Sequence, residues 1–206
     1  GDQEKFPMFT SCCPGWLRYC KAQFPEFVDQ LSTSKSPQQM FGAVIKTYFA
    51  EKIDVDPVRI YSVSIMPCLA KKAECGYETM KNEDGEPDVD VVLTTREVDR
   101  LLRMMNLEPA ELPEVELDHP FPLGSGAGNI FGATGGVMEA ALRTAYQAVT
   151  GHNPDPDAFS AVRGMEGWKE ETFDLAGTPL KVAVVHGLAN AGRHLHALKE
   201  GKVHYD

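Results

Sequence analysis

The 206-residue sequence predicts an α/β fold: a largely parallel sheet flanked by helices. Three observations predict it. β-Branched, largely apolar runs bounded by turn residues recur at "RIYSVSIM" (59–66), "DVVLT" (90–94) and "LKVAVVHG" (180–187). Between them lie segments whose apolar residues repeat at helical spacing. Strands that alternate with helices build parallel sheets through right-handed crossovers. The composition agrees, because 43% hydrophobic and 24% charged residues lie near globular averages. The length allows one large domain or two small ones, either with a proper core.

The elements follow in order. Pro14 to Phe24 reads as a short helix with Pro14 in its first turn. Ser36-Pro37 opens a second helix, along which Met40, Phe41, Val44, Ile45, Tyr48 and Phe49 recur at helical spacing. Arg59–Met66 is expected to be a buried strand, and Cys68 to Tyr77 a helix. Asp90–Thr94 is a further strand. Thr94 with Glu97 then forms a capping box for a helix carrying Val98, Leu101, Leu102 and Met105. A loop rich in proline and acids spans Glu108 to Pro122. The glycine-rich "GSGAGNIFGATGG" precedes a helix from Val137 to Thr150. "FSAVRG" (159–164) and "WKEETFDL" (168–175) read as short strands. "LKVAVVHG" is a strong buried one, after which Asn190 is expected to cap a last helix that Gly201 ends.

Composition also excludes functions. A net charge of −10 argues against nucleic acid, which needs a basic stripe. No apolar run is long enough for a bilayer span, and no basic-then-apolar leader opens the chain. The five cysteines are Cys12, Cys13, Cys20, Cys68 and Cys75. An odd number in a chain of this length points to reduced thiols or metal ligands rather than a disulfide scaffold.

Two stretches carry chemistry. In "TSCCPGW" (10–16) adjacent thiols on extended backbone point to opposite faces, so one can meet a cofactor while the other meets something else. In "SIMPCLAKKAE" (64–74) a strand ends at Met66, Pro67 turns the chain and Cys68 opens a helix. Helix N-termini favour thiolates, and ligands collect at the carboxyl edge of strands in α/β sheets. Lys71 and Lys72 follow within a turn.

These two stretches closely resemble the first two signature segments of the iron-only (FeFe) hydrogenases. The resemblance continues through "LSTSKSPQQMFG", "TTRE", "GAGNIFGATGGVMEAALR" and "VRG", over almost the whole chain. It implies one contiguous lobe, residues 1–206, of a two-lobed catalytic domain. It implies an oxidoreductase that interconverts dihydrogen with protons and electrons at an H-cluster, a 4Fe-4S cubane joined to a two-iron centre with carbon monoxide and cyanide ligands. By residue-by-residue matching, Cys13 and Cys68 are implied as cubane ligands. Cys12 is implied as the proton-relaying thiol and Lys71 as the donor to a cyanide. Met66, Phe131 and Gln38 are implied as neighbours of the cluster, Ser32 as a hydroxyl in the proton path, and Glu74 as a structural hydrogen-bonding partner.

The implied partners are an electron carrier such as ferredoxin or cytochrome, the remaining lobe, and the iron-sulfur domains of a longer chain. Neither nucleic acid nor membrane insertion is expected, and the implied location is the cytoplasm, with the periplasm as alternative. The third signature, which supplies two further cubane ligands, is expected after Tyr205, and acidic residues of the proton path before Gly1. The 206-residue chain alone is therefore expected to hold no H-cluster and to be inactive. Cys20 and Cys75 are expected to pack.

The remaining features weigh less. G-x-G spacing after a proline-bearing loop is a poor dinucleotide fingerprint, so the glycines are read as points of close backbone approach. His186, His194 and His196 are expected at the surface, since i and i+2 positions on a helix do not share a face. The acids of 108–118 and 166–171 are read as solvated. Two rival functions remain: a non-catalytic iron-sulfur assembly or sensory relative, and a thiol-disulfide oxidoreductase using Cys12-Cys13. Adjacent cysteines make a strained disulfide, which disfavours the last.

Overall fold

The computed structural model describes residues 7–116, 118, 121 and 124–206, so part of the acidic loop at 108–122 lies outside the described residues. The α/β class holds. The chain divides into two compact units, one of residues 9–120 and one of 121–206 with the first eight residues.

In the first unit, α1 (Pro14–Gln23) starts at Pro14, whose fixed φ suits a first helical position. A short 3₁₀ stretch, Pro25–Gln30, returns the chain to Phe9. There Phe9 N–H donates to Gln30 O (2.8 Å) and Ser32 N–H to Phe9 O (2.7 Å). Next, α2 (Pro37–Val44) is capped by Ser36, whose hydroxyl accepts from Gln39 N–H. It widens into a π-helical turn at Ile45–Phe49 and ends in α3 (Ala50–Lys52).

The buried face of this long helix is Gln39, Gly42, Lys46 and Ala50, while Met40, Phe41, Val44 and Tyr48 stay exposed. Electrostatics explains the inversion. Lys46 Nζ donates to Pro87 O (2.6 Å) and to Asp90 Oδ1 (2.9 Å), and Asp90 Oδ2 accepts from Ser62 N–H (2.6 Å). A buried ammonium is tolerated when paired and hydrogen-bonded in this way. Lys35 pairs with the buried Asp88 at 2.5 Å. A Cβ on Gly42 would lie 2.5 Å from Asp88 O, so only glycine permits this approach.

β1 (Val63–Ile65) runs parallel to β2 (Val91–Leu93), with Val63 opposite Val91. The strand is shorter than expected and not buried on both faces, since Val63 and Ile65 are about half exposed. Met66 N–H donates to Leu93 O (2.9 Å), so the pair ends where the chain turns toward α4 (Leu69–Glu74). Thr94 and Glu97 form the expected capping box of α5 (Thr95–Met104).

In the second unit, the glycine-rich segment contains a short α6 (Gly126–Ile130) before α7 (Gly136–Thr150). Gly135 sits at φ +86° with Val162 O at 2.1 Å from where a Cβ would be. This accounts for a glycine in that turn. β3 (Trp168–Leu175) and β4 (Thr178–Val185) form an antiparallel hairpin. Its two-residue turn, Ala176-Gly177, has positive φ at both positions, as a type I′ hairpin requires. Leu142, Phe159, Val162 and Val182 form the core, with Phe173, Leu180 and Val184 packed against it. Full burial contributes ~1.5–3 kcal/mol for each large aliphatic or aromatic side chain.

Three expectations are corrected in this unit. "FSAVRG" is not a strand but a 3₁₀ turn at Ser160–Val162, with Val162 drawn into the core. The last helix, α8 (Leu188–Lys199), is capped at Gly187, not at Asn190. Asn190 lies inside the helix and its Nδ2 donates to His186 O (2.8 Å). His194 is buried rather than at the surface, with ring centroids 5.0 Å from Trp168 and 5.2 Å from Tyr205. Burial pushes its pKa down.

Candidate functional site

Cys13 holds the N-cap of α1 in extended backbone, and its sulfur makes no capping hydrogen bond. Its own N–H donates to Ser11 Oγ (3.1 Å), which fixes the turn entering the helix. The sulfur lies over the first turn: a Cβ at Gly15 would stand 3.3 Å from Cys13 Sγ. The "CPG" run therefore starts the helix with proline and leaves the thiol room with glycine. Cys12 and Cys13 are both exposed free thiols. The backbone at Cys13 is extended (φ −101°, ψ 113°), while Cys12 sits in a bend.

Cys68 repeats the arrangement at the N-cap of α4, also extended and also without a capping bond from sulfur. Met66, half-buried, ends the parallel strand two residues earlier. One turn into α4, Lys71 is only 3% exposed. Its Nζ lies 2.9 Å from Glu74 Oε2, itself buried, and the same oxygen accepts from Ser36 Oγ at 3.0 Å. Lys72 turns the other way, to Val92 O (2.7 Å) and Glu97 (2.8 Å).

Gln38 stands in the first turn of α2. Its Oε1 accepts from Ser64 Oγ (2.9 Å), and its Nε2 faces Cys75 Sγ at 3.8 Å. Gln39, fully buried, donates to the same sulfur (3.5 Å), while Cys75 Sγ donates to Lys71 O (3.5 Å). Ser32 is half-buried; its hydroxyl accepts from Ser34 N–H (3.3 Å). Cys13, Ser32, Ser36, Glu74 and Trp16 line one recess of the first unit. Phe131, 47% exposed at the end of α6, belongs to the second unit.

The sequence-expected residues thus fall into groups. Cys13 and Ser32 share a recess with Glu74, and Lys71 and Gln38 are joined through Glu74, Ser36 and Cys75. Ser36 and Ser64 were not singled out from sequence as site residues. The only signal was the helix-opening Ser36-Pro37, because both partners are distant along the chain. Cys20 is fully buried, donates to Phe24 O (3.8 Å), and has its pKa raised by burial. Burial also raises that of Cys75.

The donor chemistry fits part of an H-cluster site. Two thiols stand at helix N-caps without competing capping bonds, and the helix that follows Cys68 carries a buried ammonium with three N–H donors, one of them directed to Glu74. A cubane takes four thiolates, and neither Cys20 nor Cys75 is disposed to complete the set. Among the described residues no group of three or more His, Cys, Asp or Glu side chains is placed to hold a metal. No helix among them is long and apolar enough to cross a membrane.

Residues 1–206 match the family described as iron only hydrogenase large subunit, C-terminal domain. The periplasmic [Fe] hydrogenase large subunit of Nitratidesulfovibrio vulgaris is 48% identical over 97% of this chain and 47% of its own length. A solved structure of a variant of the [FeFe]-hydrogenase HydA1 from Chlamydomonas reinhardtii is 38% identical, with a TM-score of 0.79 over 98% of this chain and 58% of that one. Cytosolic iron-sulfur assembly component 3 of Rattus norvegicus is 34% identical over 99% of the chain and 44% of its own. The chain spans between a third and a half of the curated hydrogenases it matches.

Proposed function

Because the chain belongs to the iron-only hydrogenase large-subunit family, we propose that it is one contiguous lobe of a catalytic domain that interconverts dihydrogen with protons and electrons. The observation that carries this reading is the buried Lys71 ammonium, one turn after the Cys68 thiol on the same short helix. A cubane carrier has use for the thiol but none for a desolvated cation. Lysine is costly to bury, and an anionic acceptor such as a metal-bound cyanide gives it a partner beyond Glu74.

In this reading Cys13 and Cys68 hold the cubane as thiolates, and Lys71 donates to a cyanide. Met66 and Gln38 pack around the two-iron centre and limit the access of water. The H-cluster, when bound, supplies the redox chemistry and the splitting or formation of dihydrogen. Cys12 holds a proton at Sγ and passes it along a path in which the Ser32 hydroxyl takes part. Thiols ionise near enough to neutrality to exchange protons with amines, which suits this relay. Electrons pass to a carrier such as a ferredoxin or a cytochrome. Cytoplasmic placement is compatible with this chemistry, as is periplasmic placement like that of the Nitratidesulfovibrio relative.

A second reading, a non-catalytic iron-sulfur assembly protein, draws support from the 34% identity to the rat assembly component. The presence of Cys12, Met66 and Lys71 favours the catalytic reading, since a cubane alone needs none of them. Infrared spectra of a full-length chain carrying this segment decide between the two. Metal-bound carbonyl and cyanide bands, with dihydrogen evolution, are expected. A cubane without those bands would establish the assembly reading instead.

A further inference from the structure

The Gln38 amide is held at both of its ends. Its Oε1 accepts from the hydroxyl of Ser64, the middle residue of β1, at 2.9 Å, and its Nε2 faces Cys75 Sγ at 3.8 Å. An amide oxygen and an amide nitrogen have nearly the same shape, so packing alone does not choose which end faces which neighbour. Ser64 does not choose either, because a hydroxyl both donates and accepts. Cys75 does. Its sulfur stands 3.5 Å from Lys71 O, one turn back along α4. A carbonyl only accepts, so the one thiol hydrogen goes there, and the sulfur is left as an acceptor toward its other neighbours. Gln39, fully buried, meets the same sulfur in the same sense, with Nε2 at 3.5 Å. Burial pushes the Cys75 pKa up, which keeps that hydrogen on sulfur at neutral pH.

The sense of the amide has a chemical consequence. The Gln38 nitrogen carries two N–H donors, and the sulfur takes one of them. The other is left for an acceptor, and a metal-bound cyanide is one. Turned over, the amide would set an oxygen in the same place, and an oxygen repels an anionic ligand. We propose that Cys75 is a positioning residue: its thiol, tied to Lys71 O, fixes which end of the Gln38 amide meets the two-iron centre, while Ser64 holds the other end. This rests on the hydrogenase reading above and gives Cys75 a part beyond packing.

The test uses a full-length chain carrying this segment, loaded with its cofactor, and compares Cys75→Ser, Cys75→Val and Ser64→Ala. Infrared carbonyl and cyanide bands, iron content and thermal midpoint are recorded for each. Cys75→Val fills the space but neither donates nor accepts, so both senses of the amide become open to Gln38. Its bands should shift or split into two sets at unchanged iron content. Cys75→Ser keeps one hydrogen and an acceptor, and its bands should lie nearer the parent's than those of Cys75→Val. Ser64→Ala should shift the bands less, since the sulfur still sets the sense. In a Gln38→Met background, Cys75→Val should move the bands no further, because partners in one interaction are not additive. A role in packing alone would move them equally in both backgrounds. Should Cys75→Val fail to fold, Cys75→Ala decides by the same bands. Three results overturn the proposal and leave the hydrogenase reading intact: bands in the apolar variant that coincide with the parent's, bands that move as far without Gln38, or a serine variant as altered as the apolar one. A parent without carbonyl and cyanide bands removes both.

Discussion

Cys13 and Cys68 occupy the same place in two different helices: each is the extended N-cap residue of its helix, and neither sulfur caps the backbone behind it. N-cap residues of the usual kind, serine or aspartate, turn their side chains back onto the helix. These two do not, which leaves both sulfurs available for a ligand.

Two thiolates are half of what a cubane takes. The isolated 206-residue chain should fold and yet contain no stoichiometric cluster and evolve no dihydrogen. Iron analysis, visible absorbance and a dihydrogen assay on the purified chain check this, and stoichiometric cubane or measurable turnover would refute it.

Replacing Lys71 by Ala in a full-length chain should deplete the two-iron centre more than the cubane. Loss of the ammonium also leaves the Glu74 carboxylate buried with Ser36 alone, and breaking a buried pair costs about 3–5 kcal/mol. Iron counts should fall by up to the two irons of that centre, the carbonyl and cyanide bands should weaken, and the thermal midpoint should drop. Full-intensity bands in the variant contradict this role for Lys71.

Gly42→Ala tests the close approach of α2 to the 87–90 segment. Its Cβ would meet Asp88 O at 2.5 Å and Val89 Cγ2 at 2.6 Å. Overpacking of this kind costs ~1–3 kcal/mol, and chemical denaturation should show at least that loss. An unchanged midpoint would mean that the segment moves away at no cost.

Glu97 gives a pH dependence with a definite sign. Its hydrogen bond to the Lys72 ammonium, then the Thr94 N–H, draw its pKa from 4.5 down to about 2. A carboxylate with a lowered folded pKa contributes stability above its unfolded value and loses it as pH falls through the folded one. The thermal midpoint of Glu97→Gln should therefore lie below the parent's above pH 4.5. That difference should close between pH 4.5 and about 2, and it should be small because the pair is exposed and screened. A difference that persists at pH 2 is the contrary result.

Local signals were legible in the sequence and long-range ones were not. The Thr94–Glu97 capping box and the helix starts at Pro14 and Pro37 depend on residues within one turn, and all three stand where expected. Asn190 looked like a cap, but Gly167 packs so tightly against its side chain that a Cβ there would fall 2.1 Å from Nδ2. "FSAVRG" reads as a short strand, yet it forms a 3₁₀ turn that delivers Val162 to the core. The apolar residues of α2 recur at helical spacing, yet the buried face carries Lys46, paired with Asp90 across 44 residues. At the site, the thiols and Lys71 lie within short motifs and could be read. Ser36 with Glu74, and Ser64 with Gln38, are 38 and 26 residues apart, and no pattern announces either pair.

The division of labour between Cys12 and Cys13 is the claim most open to a direct measurement. Cys12→Ser and Cys13→Ser, made in the same full-length chain, are compared by iron content, infrared spectrum and dihydrogen evolution against pH. Cys13→Ser should weaken or abolish cubane binding, because a hydroxyl is a harder and far less acidic ligand than a thiol. Cys12→Ser should keep both metal centres and lose nearly all turnover, because an alcohol is a poor match for proton exchange near neutrality. Cys12→Asp should restore part of the rate with a shifted pH profile. A Cys12→Ser protein that loses the cubane while Cys13→Ser keeps it, or one that keeps full activity, would contradict the account.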